Sequence, residues 1–222
     1  MEYSRCDKFG ICKLVPDLPV LDREANGWHG VGMETDGFIR RLRPVLILIL
    51  VIWVIELVNL ALGHRLNQWF GLEPRRFAGL IGIPAMPVLH GGIGHAAANT
   101  LPLIFLGAIG LIVAPRRFRK ASLSIVLLSG LGVWLLARPG IVVGASGLIF
   151  GWFGFLLTLG AIERSPRAII GAVVVAVLYG GMFWGILPER TQMISWEAHF
   201  LGAVTGALMA YRYRLQPLNA RR

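Results

Sequence analysis

Six predominantly apolar runs, each 17 to 20 residues long, follow one another along the chain: Pro44–Leu62, His95–Ala114, Ala121–Ala137, Ile141–Gly160, Ala168–Leu187 and Ser195–Tyr213. At ~1.5 Å per residue, a helix of that length crosses a hydrocarbon core of ~30 Å. Composition agrees: 55% of the 222 residues are hydrophobic, only 15% are charged, and the mean hydropathy is +0.66. A soluble domain carries about 25% charged residues, and disorder is excluded as a description of the whole chain. The expected fold is an all-α polytopic membrane protein, a six-helix bundle at 42–214. A polar cytoplasmic tail at 1–41 precedes it and a short basic tail at 215–222 follows.

The net charge of +10 would suggest a nucleic-acid partner in a soluble protein. Here the basic residues cluster between the apolar runs, as topology signals do, and no RNA- or DNA-binding signature accompanies them. Of the 22 Lys and Arg, 17 fall in the tail, the "RRFRK" loop, the Glu163–Arg167 connection and the C-terminus. The other five (Arg65, Arg75, Arg76, Arg138 and Arg190) fall in the alternate connections. Both termini are therefore expected in the cytoplasm of a bacterial-type plasma membrane. Residues 1–41 lack the pattern of a cleavable signal peptide. Cys6 and Cys12 match no common zinc or redox spacing and read as free thiols, with a metal or redox role held in reserve.

Polar residues inside membrane segments are expensive, so their positions are informative. Three segments carry them: "HGGIGHAAAN", "GASG" and "WEAHFLGAVTG". Runs two, four and six all cross in the same direction. Counted from the basic markers at their inner ends, Asn99, Ser146 and His199 lie at heights of about 25, 25 and 20 Å in a ~30 Å core. His95 sits one turn above Asn99 on the same face. Level polar groups on three helices point to one shared site. Gly144, Gly147, Gly151 and Gly154 face a small-residue pattern of Gly202, Ala203 and Gly206, which lets runs four and six approach backbone to backbone. Such an approach brings Ser146 and His199 together, and a serine hydroxyl becomes a nucleophile when an adjacent base takes its proton. His95 and Asn99 carry donors suited to a developing oxyanion. The Ser146 N–H adds another if a helix begins there. With Glu56 in run one and Glu197 nearer the surface, a dyad is expected rather than a triad.

The residues His90, His95 and Asn99 of "HGGIGHAAAN", Gly144 to Gly147 of "GASG", and Ala198, His199, Gly202 and Gly206 of "AHFLGAVTG" resemble, in order and placement, the rhomboid intramembrane serine proteases. The resemblance spans roughly residues 44–213 and is specific when the three motifs occur together. It implies Ser146 as nucleophile, His199 as general base, Gly144 and Gly147 framing the serine turn, and His95 and Asn99 assisting the oxyanion. It also implies transmembrane protein substrates cut near small or helix-destabilising residues, and no metal or organic cofactor. The first long connection departs from the family, reading "PRRFAGLIGIPAMPVLHGG" without a Trp-Arg pair.

Plainer roles compete for each residue taken singly. Ser146 alone suits a packing serine, and His199, His95 and Asn99 suit polar bonds between membrane helices. His90 reads as structural, bonding loop backbone, and His64 as solvated. Glu56 is expected to face the bundle and hydrogen-bond there. Phe183 and Trp184 read as lipid-facing or interfacial, with a lateral gate as the sharper alternative, and the C-terminal arginines as anchors to anionic headgroups. The connection from Gly63 to Gly94 is expected to lie in the outer interface as a semi-structured hairpin. Two rivals stand beside the protease: a catalytically silent relative that binds membrane proteins, and a small transporter. The transporter is disfavoured because runs two, four and six turn purely apolar toward the inner side.

Overall fold

A computed structural model describes residues 5–6, 12–13, 27–188 and 195–214. Met1–Arg40 and Arg41–Arg222 form separate compact units. In the first, Arg5–Cys6 pairs antiparallel with Cys12–Lys13, with Cys6 opposite Cys12. The thiols of these cysteines and the last eight residues, Arg221 and Arg222 among them, lie outside the described set.

Backbone polar groups in lipid must be bonded within the segment, and helices achieve that locally. The long helices are α1 (Gly27–Ala61), α4 (Ile93–Val113), α5 (Pro115–Leu136), α6 (Ser146–Glu163), α7 (Pro166–Tyr179, continued as a 3-10 helix over Gly180–Ile186) and α8 (Trp196–Tyr213). Five of these, α1 from Ile39 and α7 with its 3-10 extension, are long and apolar enough to cross a membrane. In α8, which has 18 residues, Glu197, His199, Thr205 and Arg212 dilute the apolar character. From Arg41 onward the described residues form a helical, polytopic membrane bundle.

The connection after α1 is not a hairpin. It is a chain of short turns, α2 (Arg65–Phe70), a 3-10 turn (Phe77–Ile81), α3 (Gly82–Ala85) and a second 3-10 turn (Met86–Val88). The closely spaced Gly79, Gly82, Pro84 and Pro87 favour short turns over paired strands. At its end Gly92, with φ 139°, turns the chain into α4. Helix α6 starts five residues later than the apolar pattern indicates. Residues 141–145 are drawn into non-helical backbone by Leu72, which exchanges two bonds with Val142 (3.1 and 2.8 Å), and by the Met86 carbonyl, which accepts from Gly144 N–H at 2.8 Å.

The centre of the bundle is α6, 67% of whose apolar window is buried against 11–39% for the other spans. Two devices put it there. Without a hydrophobic force between helices in lipid, close contact relies on small residues, and a methyl placed on Gly202 or Gly206 of α8 would overlap the carbonyl of Gly147 or Gly151. On the other side Phe118 packs over Gly110 and lies 5.0 Å from the Trp152 ring. Trp152 in turn donates to Ser122 Oγ at 2.8 Å. Helix α1 is joined to α4 by Trp53 Nε1, which donates to Thr100 Oγ1 at 3.2 Å. The carboxylate of Glu163 at the end of α6 pairs with Arg117 near the start of α5, marking the end of the bundle opposite the site described next.

Two expectations about polar groups need correction. Glu56 is fully buried, but neither carboxylate oxygen has a hydrogen-bond partner among the described residues. Asn59, one turn on, is committed elsewhere: its Nδ2 donates to Asn67 Oδ1 (2.9 Å) and to the His90 carbonyl (3.3 Å), while its Oδ1 accepts from Leu66 N–H. His64 is not simply solvated, for its Nδ1 lies 3.4 Å from Asn59 Nδ2.

Candidate active site

A cavity of about 970 Å³ opens at the end where α4, α6 and α8 begin. Its lining includes His95 and Asn99 of α4, Gly144 and Ser146 at the entry to α6, and His199 of α8. Gly147, Gly202 and Gly206 lie behind it, in the α6–α8 contact.

Ser146 is the first residue of α6, where the leading N–H groups have no intrahelical partner and the helix dipole favours negative charge. The turn into it requires glycine at 144: φ is 121°, and a Cβ would lie 2.7 Å from His95 Cε1. Such a φ is costly for residues with a side chain.

His199, on the first turns of α8, is nearly buried. Its Nδ1 lies 2.9 Å from the Gly185 carbonyl oxygen. A carbonyl only accepts, so Nδ1 carries the proton and the Nε2 of the neutral ring is left as an acceptor. The ring stacks on Phe150, with centroids 4.0 Å apart and planes at 11°. These two contacts fix its tautomer and its plane. His95 has the opposite arrangement: Gly91 N–H approaches its Nδ1 at 3.5 Å, which leaves the proton on Nε2, the edge facing Gly144. Asn99 Nδ2 donates one bond to the His95 carbonyl at 2.8 Å, and its second N–H has no acceptor among the described residues. The cavity thus gathers a hydroxyl, an imidazole acceptor and several N–H donors.

The passage into Ser146 is braced from the first connection. The fully buried ring of His90 accepts the Ala145 N–H at 3.4 Å through Nε2, and the His90 carbonyl accepts from Asn67 Nδ2 at 2.8 Å. Burial, reinforced by the neighbouring His95, lowers the His90 pKa from its ordinary 6.5 to about 4. The folded protein therefore binds fewer protons than the unfolded chain between those values. The contribution is intact above pH 6.5 and is lost as the pH falls toward 4, on the order of 3 kcal/mol in all. Thermal melting in detergent is expected to drop between pH 7 and pH 5, and His90→Gln, neutral throughout, to flatten that drop. Equal slopes in the two proteins would contradict this.

Phe150, Gly185, Glu197 and Arg138 are the contacts that sequence reasoning did not assign. Phe150 had a signal, since it stands four residues after Ser146 on the same helix face. Gly185 acts through a backbone carbonyl and had none. Glu197 is buried, and its carboxylate pairs with Arg138. Arg75, Arg76 and Arg138, three of the five basic residues that run against the charge bias, have bonding duties. Arg75 Nη1 donates to the Ala137 carbonyl at 2.6 Å and Arg76 pairs with Glu73. Phe183 and Trp184, 57% and 73% exposed, face outward as expected.

The fold and cavity define a polytopic helical membrane protein with a serine- and histidine-lined pocket sunk into one end of the bundle. A rhomboid domain family model matches residues 77–216. An uncharacterized protein of Mycobacterium tuberculosis is 37% identical over 175 residues, covering 75% of this chain and 72% of that protein. Another, of Mycobacterium leprae, is 33% identical over 186 residues, covering 78% and 73%. RHOMBOID-like protein 1 of Arabidopsis thaliana is 32% identical over 138 residues, 58% of this chain and 33% of that protein. The chain belongs to the rhomboid family.

Proposed function

We propose that this protein is an intramembrane serine endopeptidase that cuts transmembrane segments of other membrane proteins. The observation that carries the reading is the placement of Ser146 at the start of α6 in one cavity with His199, whose Nδ1 is committed to Gly185 and whose Nε2 is left to accept a proton. Ser146 Oγ attacks the scissile carbonyl carbon as its proton passes to His199 Nε2. The oxyanion is received by the Ser146 N–H, the His95 Nε2–H and the second Asn99 N–H. His199 then returns the proton to the leaving amine, and water, deprotonated by the same nitrogen, hydrolyses the acyl ester.

A helical substrate hides its carbonyls in the backbone ladder, so the cut segment must unwind locally, which favours Gly, Ala, Ser or Pro near the cut. In this reading α8 is the sixth crossing, the lipid bilayer is the working medium, and both termini face the cytoplasm of a bacterial-type plasma membrane. The cavity then opens to the outside.

A fluorophosphonate probe applied to the detergent-solubilised protein is expected to label it covalently. Ser146→Ala is expected to abolish labelling and His199→Ala to slow it by about 10²-fold or more. Undiminished labelling of Ser146→Ala would remove Ser146 as the nucleophile.

A further inference from the structure

The nucleophile and the base sit on different elements, and one side-chain pair at the cavity ties the passage leading to the first to the helix that carries the second. Arg138 opens the passage that leads from α5 into Ser146. Glu197 lies in the first turn of α8, two residues before His199. Arg138 Nε donates to Glu197 Oε1 at 2.5 Å, its Nη2 donates to Oε2 at 3.3 Å, and its backbone N–H donates to Oε1 at 3.3 Å. Ser195 Oγ adds a bond to Oε2 at 3.3 Å and also caps α8 by accepting from Ala198 N–H. Both residues line the cavity.

The other bonds of this passage run to the first connection: Val142 to Leu72, Gly144 to Met86 and Ala145 to the His90 ring. They hold the serine turn against that connection. The Arg138 bonds set it against the helix that carries His199. An exposed ion pair usually contributes little. Here the Arg138 side chain is 42% exposed, but the Glu197 side chain is only 8% exposed and is met by a planar guanidinium fork together with a backbone N–H, a directional arrangement.

We propose that Arg138 and Glu197 are positioning residues that hold the Ser146 turn and the His199 helix in productive register; this rests on the protease reading above. Neither residue touches the reacting atoms. The pair acts through the backbone, and a displacement of the base by about 1 Å is enough to lower turnover about 10²-fold.

The test is cleavage kinetics in detergent with a fluorogenic transmembrane substrate, with thermal melting followed in parallel. Arg138→Ala and Glu197→Ala are expected to lower kcat by about 10- to 100-fold with KM unchanged. Arg138→Lys, which keeps the charge and loses the fork, is expected to fall between Arg138→Ala and the wild type. The exchanged pair Arg138→Glu with Glu197→Arg is expected to recover at least tenfold over either single reversal, which a general loss of packing would not produce. Should Glu197→Ala fail to fold, Glu197→Gln retains the side chain's size and removes its charge, and its kcat is expected to fall likewise. Full kcat in these variants beside a wild type whose cleavage requires Ser146 would overturn the positioning role alone. A wild type without Ser146-dependent cleavage would overturn the protease reading and this role with it.

Discussion

His199→Ala is expected to lower kcat for a transmembrane substrate by about 10³-fold or more while the bundle stays folded. The size follows from what the ring supplies. Its Nδ1 proton is held by the Gly185 carbonyl, so the acceptor nitrogen is available without a carboxylate partner to select the tautomer. Alanine removes the proton acceptor and leaves Phe150 without its stacked neighbour. Retention of the fold is expected because α8 is fixed to α6 further along, at Gly202 and Gly206. Turnover by the purified variant, with its melting temperature measured alongside, checks this. Activity within tenfold of the wild type would mean that another group takes the serine proton.

Gly206→Leu is expected to destabilise the bundle by about 3 kcal/mol or more, the upper end of what overpacking costs. A Cβ at that position overlaps the Gly151 carbonyl, and Gly202 stands in the same relation to Gly147. Backbone cannot yield as a flexible side-chain tip does, so the helices must separate, and the Ser146 turn moves away from His199 as they do. Gly94→Ala is the control, since nothing lies within 4 Å of a Cβ there. Melting of the two variants in the same detergent should separate them clearly. Equal melting would contradict the close α6–α8 contact.

Why α6 and α8 meet was legible before any coordinates: the Gly-rich faces and the level heights of Asn99, Ser146 and His199 point to it. The six apolar runs mark the six long helices. What the pattern misses is set by tertiary partners. Ile141 to Ala145 are as apolar as the helix that follows, yet Leu72, Met86 and the His90 ring hold them in non-helical form. The last turns of the fifth run tighten into a 3-10 helix, and it is there that Gly185 offers its carbonyl to His199. A backbone carbonyl leaves no mark in a sequence. Glu56 illustrates the converse: its burial follows from the cost of lipid exposure, whereas its lack of a partner depends on where the Asn59 amide points.

The most direct measurement is co-expression of wild type, Ser146→Ala and His199→Ala with a tagged single-pass protein whose membrane segment is rich in small residues, followed by immunoblotting. The account predicts a cleaved band with the wild type and none with either variant. A band that persists undiminished in both variants would contradict it.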